Sequence, residues 1–240
     1  MAKENIKFII KEEYHSWLEE MNLHTFEQLM FSEVGSVVEK GDRNEILRIE
    51  GAGRTVYLKR RLICSVAKSI ESYLFGTMAY SAPFREYLHI CSLQKFQFPV
   101  MNCIAVGEKR KWGMPQYGFI LVDEVKGTPL DKVLNLTNMQ DKDVRLPRSY
   151  GTLLARLHRH GFYGSLRLKD IIVMDSDQSS IVMIDREARY SHPRCRWAIR
   201  ARNSLNRSFR RIRRTSPEFN QSHIDIVKQA YNDCMQNRMD

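Results

Sequence analysis

The five cysteines of this 240-residue chain (Cys64, Cys91, Cys103, Cys195, Cys234) include no CxxC pair. An odd count at scattered spacing argues against a disulfide framework and against a structural zinc site. Buried free thiols are the expectation. Long hydrophobic runs are also missing. The longest, such as Phe119 to Val122 and Ile171 to Met174, are strand-length, far short of the ~20 apolar residues of a membrane-spanning helix. Near the first residue the only apolar run is Phe8-Ile9-Ile10, too short for the core of an export signal. A place on the cytosolic side of a membrane is therefore expected. Acid is missing from one segment: between Arg186 and Arg214 stand eleven arginines, no lysine and a single acid, Glu187. That segment accounts for the whole net charge of +10, and the remaining residues balance. One helix or one face, not the entire surface, is built to meet something anionic.

What is present is enough for a sizeable core. At 43% hydrophobic and 28% charged, the composition is that of an ordinary globular domain. Residues 1–31 read as a helical or mixed lead-in, with Trp17, Leu18, Met21, Phe26, Leu29 and Met30 in a loose apolar pattern. From Val34 to Lys59 the runs shorten and become β-rich: Val37-Val38, then Ile46, Leu47 and Ile49, then Val56-Tyr57-Leu58. Gly41-Asp42 and Gly51-Ala52-Gly53 break them as turns, which predicts a three-stranded meander. Residues 60–83 read as a basic-then-apolar insertion. A helix is expected over Phe84 to Phe96, stopped by Pro99, and then strands over Asn102 to Gly107 and Gly118 to Val125. Gly127-Thr128-Pro129 reads as a turn into a short helix, Leu130 to Leu136. Tyr150, Leu153, Leu154 and Leu157 fall at i, i+3, i+4, i+7 of a helix that Gly161 terminates. A loop over Phe162 to Asp170, a β-hairpin (Ile171 to Met174, Ile181 to Ile184) and helices over Cys195 to Arg214 and His223 to Met235 complete the chain. The fold class expected is α+β, two-lobed and protein-kinase-like. Residues 1–33 are a helical extension, 34–126 a β-rich N-lobe and 127–240 a mostly helical C-lobe, with ligand expected in a cleft.

Phosphoryl transfer needs a lysine on the nucleotide phosphates, a carboxylate orienting it, oxygens for magnesium, and a group facing the nucleophile. Lys59 ends the strand Val56-Tyr57-Leu58-Lys59, and Glu86 near the start of the next long helix is its natural partner. Each alone reads equally well as half of a surface salt bridge. More specific is the run from Leu157 to Val173, a helix end (Leu157-His158-Arg159-His160-Gly161), a loop and an aliphatic strand. Asp185 stands directly after the second strand, Val182-Met183-Ile184. Helix, loop, strand, tight hairpin and aspartate follow one another as in a kinase C-lobe.

On these stretches, together with Gly41 to Arg48, Phe84-Arg85-Glu86-Tyr87 and Phe98-Pro99-Val100, the chain resembles the lipopolysaccharide kinase (Kdo/WaaP) family, including its InaA-like members. The resemblance runs over roughly residues 34–214. It implies ATP and magnesium as cofactors, a sugar of the lipopolysaccharide inner core (heptose or Kdo) as acceptor, and a peripheral position on the cytosolic side of a Gram-negative inner membrane. By position it makes Lys59 the phosphate-binding lysine, Glu86 its partner and Gly41 the glycine of the phosphate-covering turn. Asp170 and Asp185 become the magnesium ligands. Ser165 stands at the place of the catalytic aspartate. A serine hydroxyl takes no proton at neutral pH without another base, and general-base loss costs ~10²–10⁴ in rate. The alternative to a slow kinase is a pseudokinase that binds nucleotide or a glycolipid-assembly partner without phosphotransfer.

In the arginine segment Trp197, Ala201, Leu205, Phe209 and Ile212 form a helical apolar stripe, and arginines fill most of the other positions. Arg196, Arg200, Arg207, Arg210 and Arg211 are the candidates for contact with anionic head groups or an acidic glycolipid. Nucleic acid ranks last among the anionic partners, because no nucleic-acid fold is recognisable and the aromatics lie on the apolar stripe.

Overall fold

The computed structural model describes residues 4–74, 79–136, 144–164, 166–175, 180–184, 198–216 and 219–236. Among them the chain divides into two units, one up to Glu124 and one from Val125 onward.

Strand alternation and two tight turns build the first unit. β1 (Glu4–Ile10), β2 (Ser36–Lys40), β3 (Asn44–Gly51), β4 (Arg54–Arg61), β5 (Cys103–Lys111) and β6 (Met114–Asp123) form one antiparallel sheet in the order β1-β5-β6-β4-β3-β2. The β3–β4 loop is Ala52-Gly53 and the β5–β6 loop is Trp112-Gly113. All four residues have φ between 46° and 77°, the paired left-handed conformation that matches strand twist in a two-residue hairpin. The meander expected from Val34 to Lys59 is thus β2–β4. The pair expected to stop at Gly107 and resume at Gly118 is longer at that end, because Lys109-Arg110-Lys111 continues the strand through a Trp-Gly turn.

The lead-in opens on a strand and not a helix. β1 pairs with β5 from Glu4↔Lys111 to Ile10↔Ala105. A 3₁₀ turn (Glu12–Tyr14) and two short helices follow, α1 (His15–Glu20) and α2 (Phe26–Phe31). Thr25 and Gln28 start α2 with a reciprocal capping box: the Gln28 N–H donates to Thr25 Oγ1 at 3.2 Å and the Thr25 N–H to Gln28 Oε1 at 2.9 Å. Tyr14, Trp17, Leu18, Leu23, Phe26, Leu29 and Met30 pack on one face of the sheet, against Leu47, Ile49, Val56, Leu58, Phe119 and Leu121. Arg60 sits on that same face, buried. Its Nε and Nη2 donate to Leu29 O (2.9 Å) and Ser32 O (2.7 Å) at the end of α2, and Nη1 to Glu45 (3.0 Å).

Beside this core, Tyr14 Oη donates to Asp123 Oδ2 at 2.6 Å and accepts from Asn102 Nδ2 at 2.6 Å. Burial, seconded by Asp123, pushes the Tyr14 phenol up to about 12, and burial likewise holds Tyr231 in the second unit at about 12. A phenol whose pKa is higher folded than unfolded contributes stability that is whole below the unfolded value of ~10. It is lost as pH rises through the folded value. Urea melts of the wild type are therefore expected to show stability falling between pH 10 and 12, with a shallower fall in Tyr14→Phe. An unchanged slope in that variant would count against the assignment.

The opposite face of the sheet carries α4 (Ala82–Gln94), which packs on β4, β5 and β6. Ser81 caps it, accepting from the Phe84 N–H at 3.3 Å, and Pro83 lies in its first turn. A shorter helix, α3 (Val66–Leu74), precedes it.

The second unit has a three-stranded sheet, β7 (Gly127–Pro129), β8 (Ile171–Met174) and β9 (Ile181–Met183), in that order. The Gly-Thr-Pro stretch expected as a turn is thus an edge strand, a position where proline's missing N–H costs nothing. Its helices are α5 (Leu130–Leu136), α6 (Arg145–Arg159), α7 (Ala198–Thr215) and α8 (Gln221–Gln236). Gly161 (φ 81°) ends α6 as its position suggested, and the Phe162 N–H reaches back to Leu157 O at 2.8 Å.

Candidate functional site

Each unit contributes its own cluster. In the first, strand alternation separates two adjacent basic residues: Arg60 faces the α2 side and Lys59 the α4 side. Lys59 lies opposite Ile46 of β3 and Ile120 of β6, in the middle of the sheet. Its Nζ donates to Glu86 Oε1 of α4 at 2.8 Å, with the two side chains 20% and 9% exposed. At that burial the pair is screened far less than a surface salt bridge, and the carboxylate gives the ammonium a defined direction.

Gly41 closes the β2–β3 turn, its N–H donating to Asn44 O at 2.9 Å. A Cβ added there meets nothing within 4 Å, so the fold itself does not require glycine at this position.

In the second unit the loop after α6 is held from several sides. Tyr150 Oη donates to Leu166 O at 3.0 Å. From α7, Ser204 Oγ reaches Gly164 O and Arg207 Nη2 reaches Tyr163 O, each at 3.4 Å. His158, buried in α6, bridges Tyr231 Oη of α8 (2.8 Å at Nδ1) and Ser204 Oγ (3.0 Å at Nε2). That histidine is thereby satisfied as a core residue. The loop ends in a 3₁₀ turn, Leu168–Asp170, with Asp170 buried. Arg167 Nε donates to the Asp170 carboxylate, and the N–H of Ile184 donates to the Asp170 carbonyl at 2.8 Å. The Arg167 contact was not anticipated, although a cation three residues before an aspartate is its signal. Asp170 offers the hard oxygen that a divalent cation prefers, and a cation there would share that carboxylate with Arg167.

Of the remaining expected site residues, Ser165, Asp185 and Arg196 lie outside the described residues. Arg200, Arg207, Arg210 and Arg211 lie on α7, which carries seven arginines and no acid. Arg207 and Arg210 are exposed and Arg200 and Arg211 half-buried, while Ala201, Phe209 and Ile212 are buried. Among the described residues no helix is long and apolar enough to cross a membrane. The described cysteines, Cys64, Cys91, Cys103 and Cys234, are free thiols.

An antiparallel sheet with a lysine–glutamate pair between its central strand and a packed helix, and a second unit of helix, held loop and hairpin, define a protein-kinase-like α+β fold. A solved structure described as WaaP in complex with acyl carrier protein is similar, with a TM-score of 0.66 over 95% of this chain and 89% of that one. The two sequences are 15% identical, and the likeness speaks to the fold. No curated protein sequence matches the chain. The family model described as lipopolysaccharide kinase (Kdo/WaaP) matches residues 26–233. The chain belongs to the lipopolysaccharide kinase (Kdo/WaaP) family.

Proposed function

We propose that the protein transfers the γ-phosphoryl group of ATP to a hydroxyl of a lipopolysaccharide inner-core sugar, heptose or Kdo, at a reduced rate. The observation that carries this reading is the 2.8 Å Lys59–Glu86 pair, in a chain whose family is named for that chemistry. In the transfer the bond from the γ-phosphorus to the bridging oxygen breaks and a bond to the sugar oxygen forms. ADP leaves, and the hydroxyl proton goes to solvent or to a nearby base.

Lys59, aimed by Glu86, places its ammonium on the phosphates and offsets their charge. Gly41 keeps the β2–β3 turn free of side chain where a phosphate would approach. Asp170 and Asp185 are the residues that would hold magnesium, which when bound neutralises charge on the transferred group. Ser165 can orient the acceptor hydroxyl but does not remove its proton. Phosphoryl transfer relies chiefly on position and electrostatics, so a slow reaction remains feasible. The arginine face of α7 suits the phosphates of an inner-membrane surface, where each basic residue contributes roughly 1 kcal/mol. This supports a peripheral position on the cytosolic side.

The test is transfer of labelled phosphate from Mg-ATP to isolated core oligosaccharide at high protein concentration and long times. Transfer is expected, and Lys59→Met is expected to remove it while leaving the fold intact. A wild type that binds Mg-ATP in a thermal-shift titration but transfers nothing to any core acceptor would favour the pseudokinase reading, which rests on Ser165.

A further inference from the structure

Glu108 of β5 is 0% exposed and Arg110 is 5% exposed, on the sheet face that also carries Lys59. The shared face follows from register: Lys59 pairs with Ile120 and Ile120 with Val106, so Val106, Glu108 and Arg110 alternate onto that side. Burying a carboxylate and a guanidinium side by side is costly, and such pairs seldom add net stability over a hydrophobic replacement. Their hydrogen bonds indicate what this pair achieves instead.

Among the described residues, every side-chain hydrogen-bond partner of Glu108 and Arg110 but one belongs to the pair itself or to residues 79–81, which lead into α4. Glu108 Oε2 accepts the N–H of Ser81, the helix cap, at 2.8 Å, and Oε1 accepts from Arg110 Nη1 at 2.7 Å. Arg110 Nη2 donates to Ala79 O at 2.9 Å and also to Gly113 O, in the turn that follows β5. The guanidinium lies 5.4 Å from the centre of the Tyr80 ring, which stacks on Phe84 at 5.1 Å. Across the sheet from Glu108 is Gly118, where a Cβ would come within 2.6 Å of Gly107 O, 2.9 Å of Ser81 Oγ and 3.1 Å of Glu108 Cβ. The glycine makes room for the neighbouring strand and for the helix cap.

Helix α4 is therefore tied to one sheet face at two points: Ser81 to Glu108, and Glu86 to Lys59. Five residues separate them, about 7.5 Å along the helix axis. Ser81 and Ala79 are bonded through backbone atoms, so this anchor sets the position of the helix itself. A slide of ~1 Å would carry Glu86 out of hydrogen-bond range of Lys59.

We propose that Glu108 and Arg110 are positioning residues that set the placement of α4, and through it the Lys59–Glu86 pair on which the proposed nucleotide chemistry rests. Neither residue touches substrate; both act through Glu86.

The experiment reads the pair directly. In protein reductively methylated with ¹³C-formaldehyde, the Lys59 methyl signal is assigned by its loss in Lys59→Arg, and its position without the Glu86 carboxylate is taken from Glu86→Gln. In Glu108→Gln the signal is expected to move from the wild-type position toward that of Glu86→Gln. Arg110→Lys, which keeps the charge but loses the fork, is read the same way and decides the matter if Glu108→Gln does not fold. A folded variant whose Lys59 signal stays at the wild-type position overturns the proposal. The second readout is Mg-ATP affinity. Glu108→Gln is expected to weaken it about tenfold in the wild-type background and to cause no further loss in Glu86→Gln. An equal additional loss in that double variant also overturns the proposal. Should the wild type bind no Mg-ATP, the functional reading fails, and the methyl signal still decides whether Glu108 positions Glu86.

Discussion

Replacing Ser165 with aspartate is expected to accelerate phosphoryl transfer by ~10²–10⁴, the range a positioned general base contributes. Ser165 follows Gly164 and precedes Leu166, whose carbonyls accept from Ser204 at 3.4 Å and Tyr150 at 3.0 Å respectively. The flanks of the position are thus held by α7 and α6. That favours a gain in rate without a rearranged loop. The comparison is single-turnover transfer from labelled Mg-ATP to core oligosaccharide, wild type against Ser165→Asp, at matched nucleotide saturation. A folded, nucleotide-binding variant that is no faster would mean that residue 165 does not face the acceptor hydroxyl. If neither protein transfers phosphate, the pseudokinase reading stands.

Gly151→Ala is expected to destabilise the second unit, although alanine is the better helix former. The usual gain for Gly→Ala inside a helix is about 1 kcal/mol. Here α6 meets α8 at Gly151: a Cβ would stand 2.5 Å from Val227 O, and 3.1 Å from both Ala230 Cβ and Val227 Cα. The closest of these is a backbone atom, which no rotamer change can move aside. Forcing the helices apart also disturbs neighbouring contacts, such as the Tyr231–His158 bond. Overpacking of this kind costs about 1–3 kcal/mol, so the clash outweighs the propensity. Gly41→Ala is the control, because its Cβ would meet nothing within 4 Å. Thermal melts should show a lowered midpoint for Gly151→Ala and none for Gly41→Ala. A Gly151→Ala protein as stable as wild type would mean that the two helices do not approach this closely.

Two readings of the lysine at the end of a strand were open from composition alone: a solvated lysine or a site residue. The structure gives Lys59 a partly buried carboxylate partner, and its role on a nucleotide is part of the proposal. Neighbouring Arg60 would have been an equal candidate by residue type. Alternation put it on the other face, where it caps α2. Asp170 is buried, and its carboxylate is engaged by Arg167.

The sequence by itself determined the elements whose information is local. The helical spacing from Tyr150 to Leu157 with Gly161 after it, the short helix Leu130–Leu136, the meander broken by Gly41-Asp42 and Ala52-Gly53, and the apolar stripe of α7 were all readable as period and punctuation. The pairing of Lys59 with Glu86 was also readable, although Lys59 lies inside β4 and not at its end. The tertiary structure alone decided what depends on partners distant in the chain. The lead-in became an edge strand because β5 offered it a ladder 95 or more residues away, from Ile10↔Ala105 to Glu4↔Lys111. Gly127 to Pro129 became a strand because β8 lay beside it. The charged stretch Glu108 to Lys111, which reads as a loop by composition, was drawn into the sheet once Glu108 and Arg110 could neutralise each other beneath α4. Pairing and burial are long-range properties, and no window of sequence contains them.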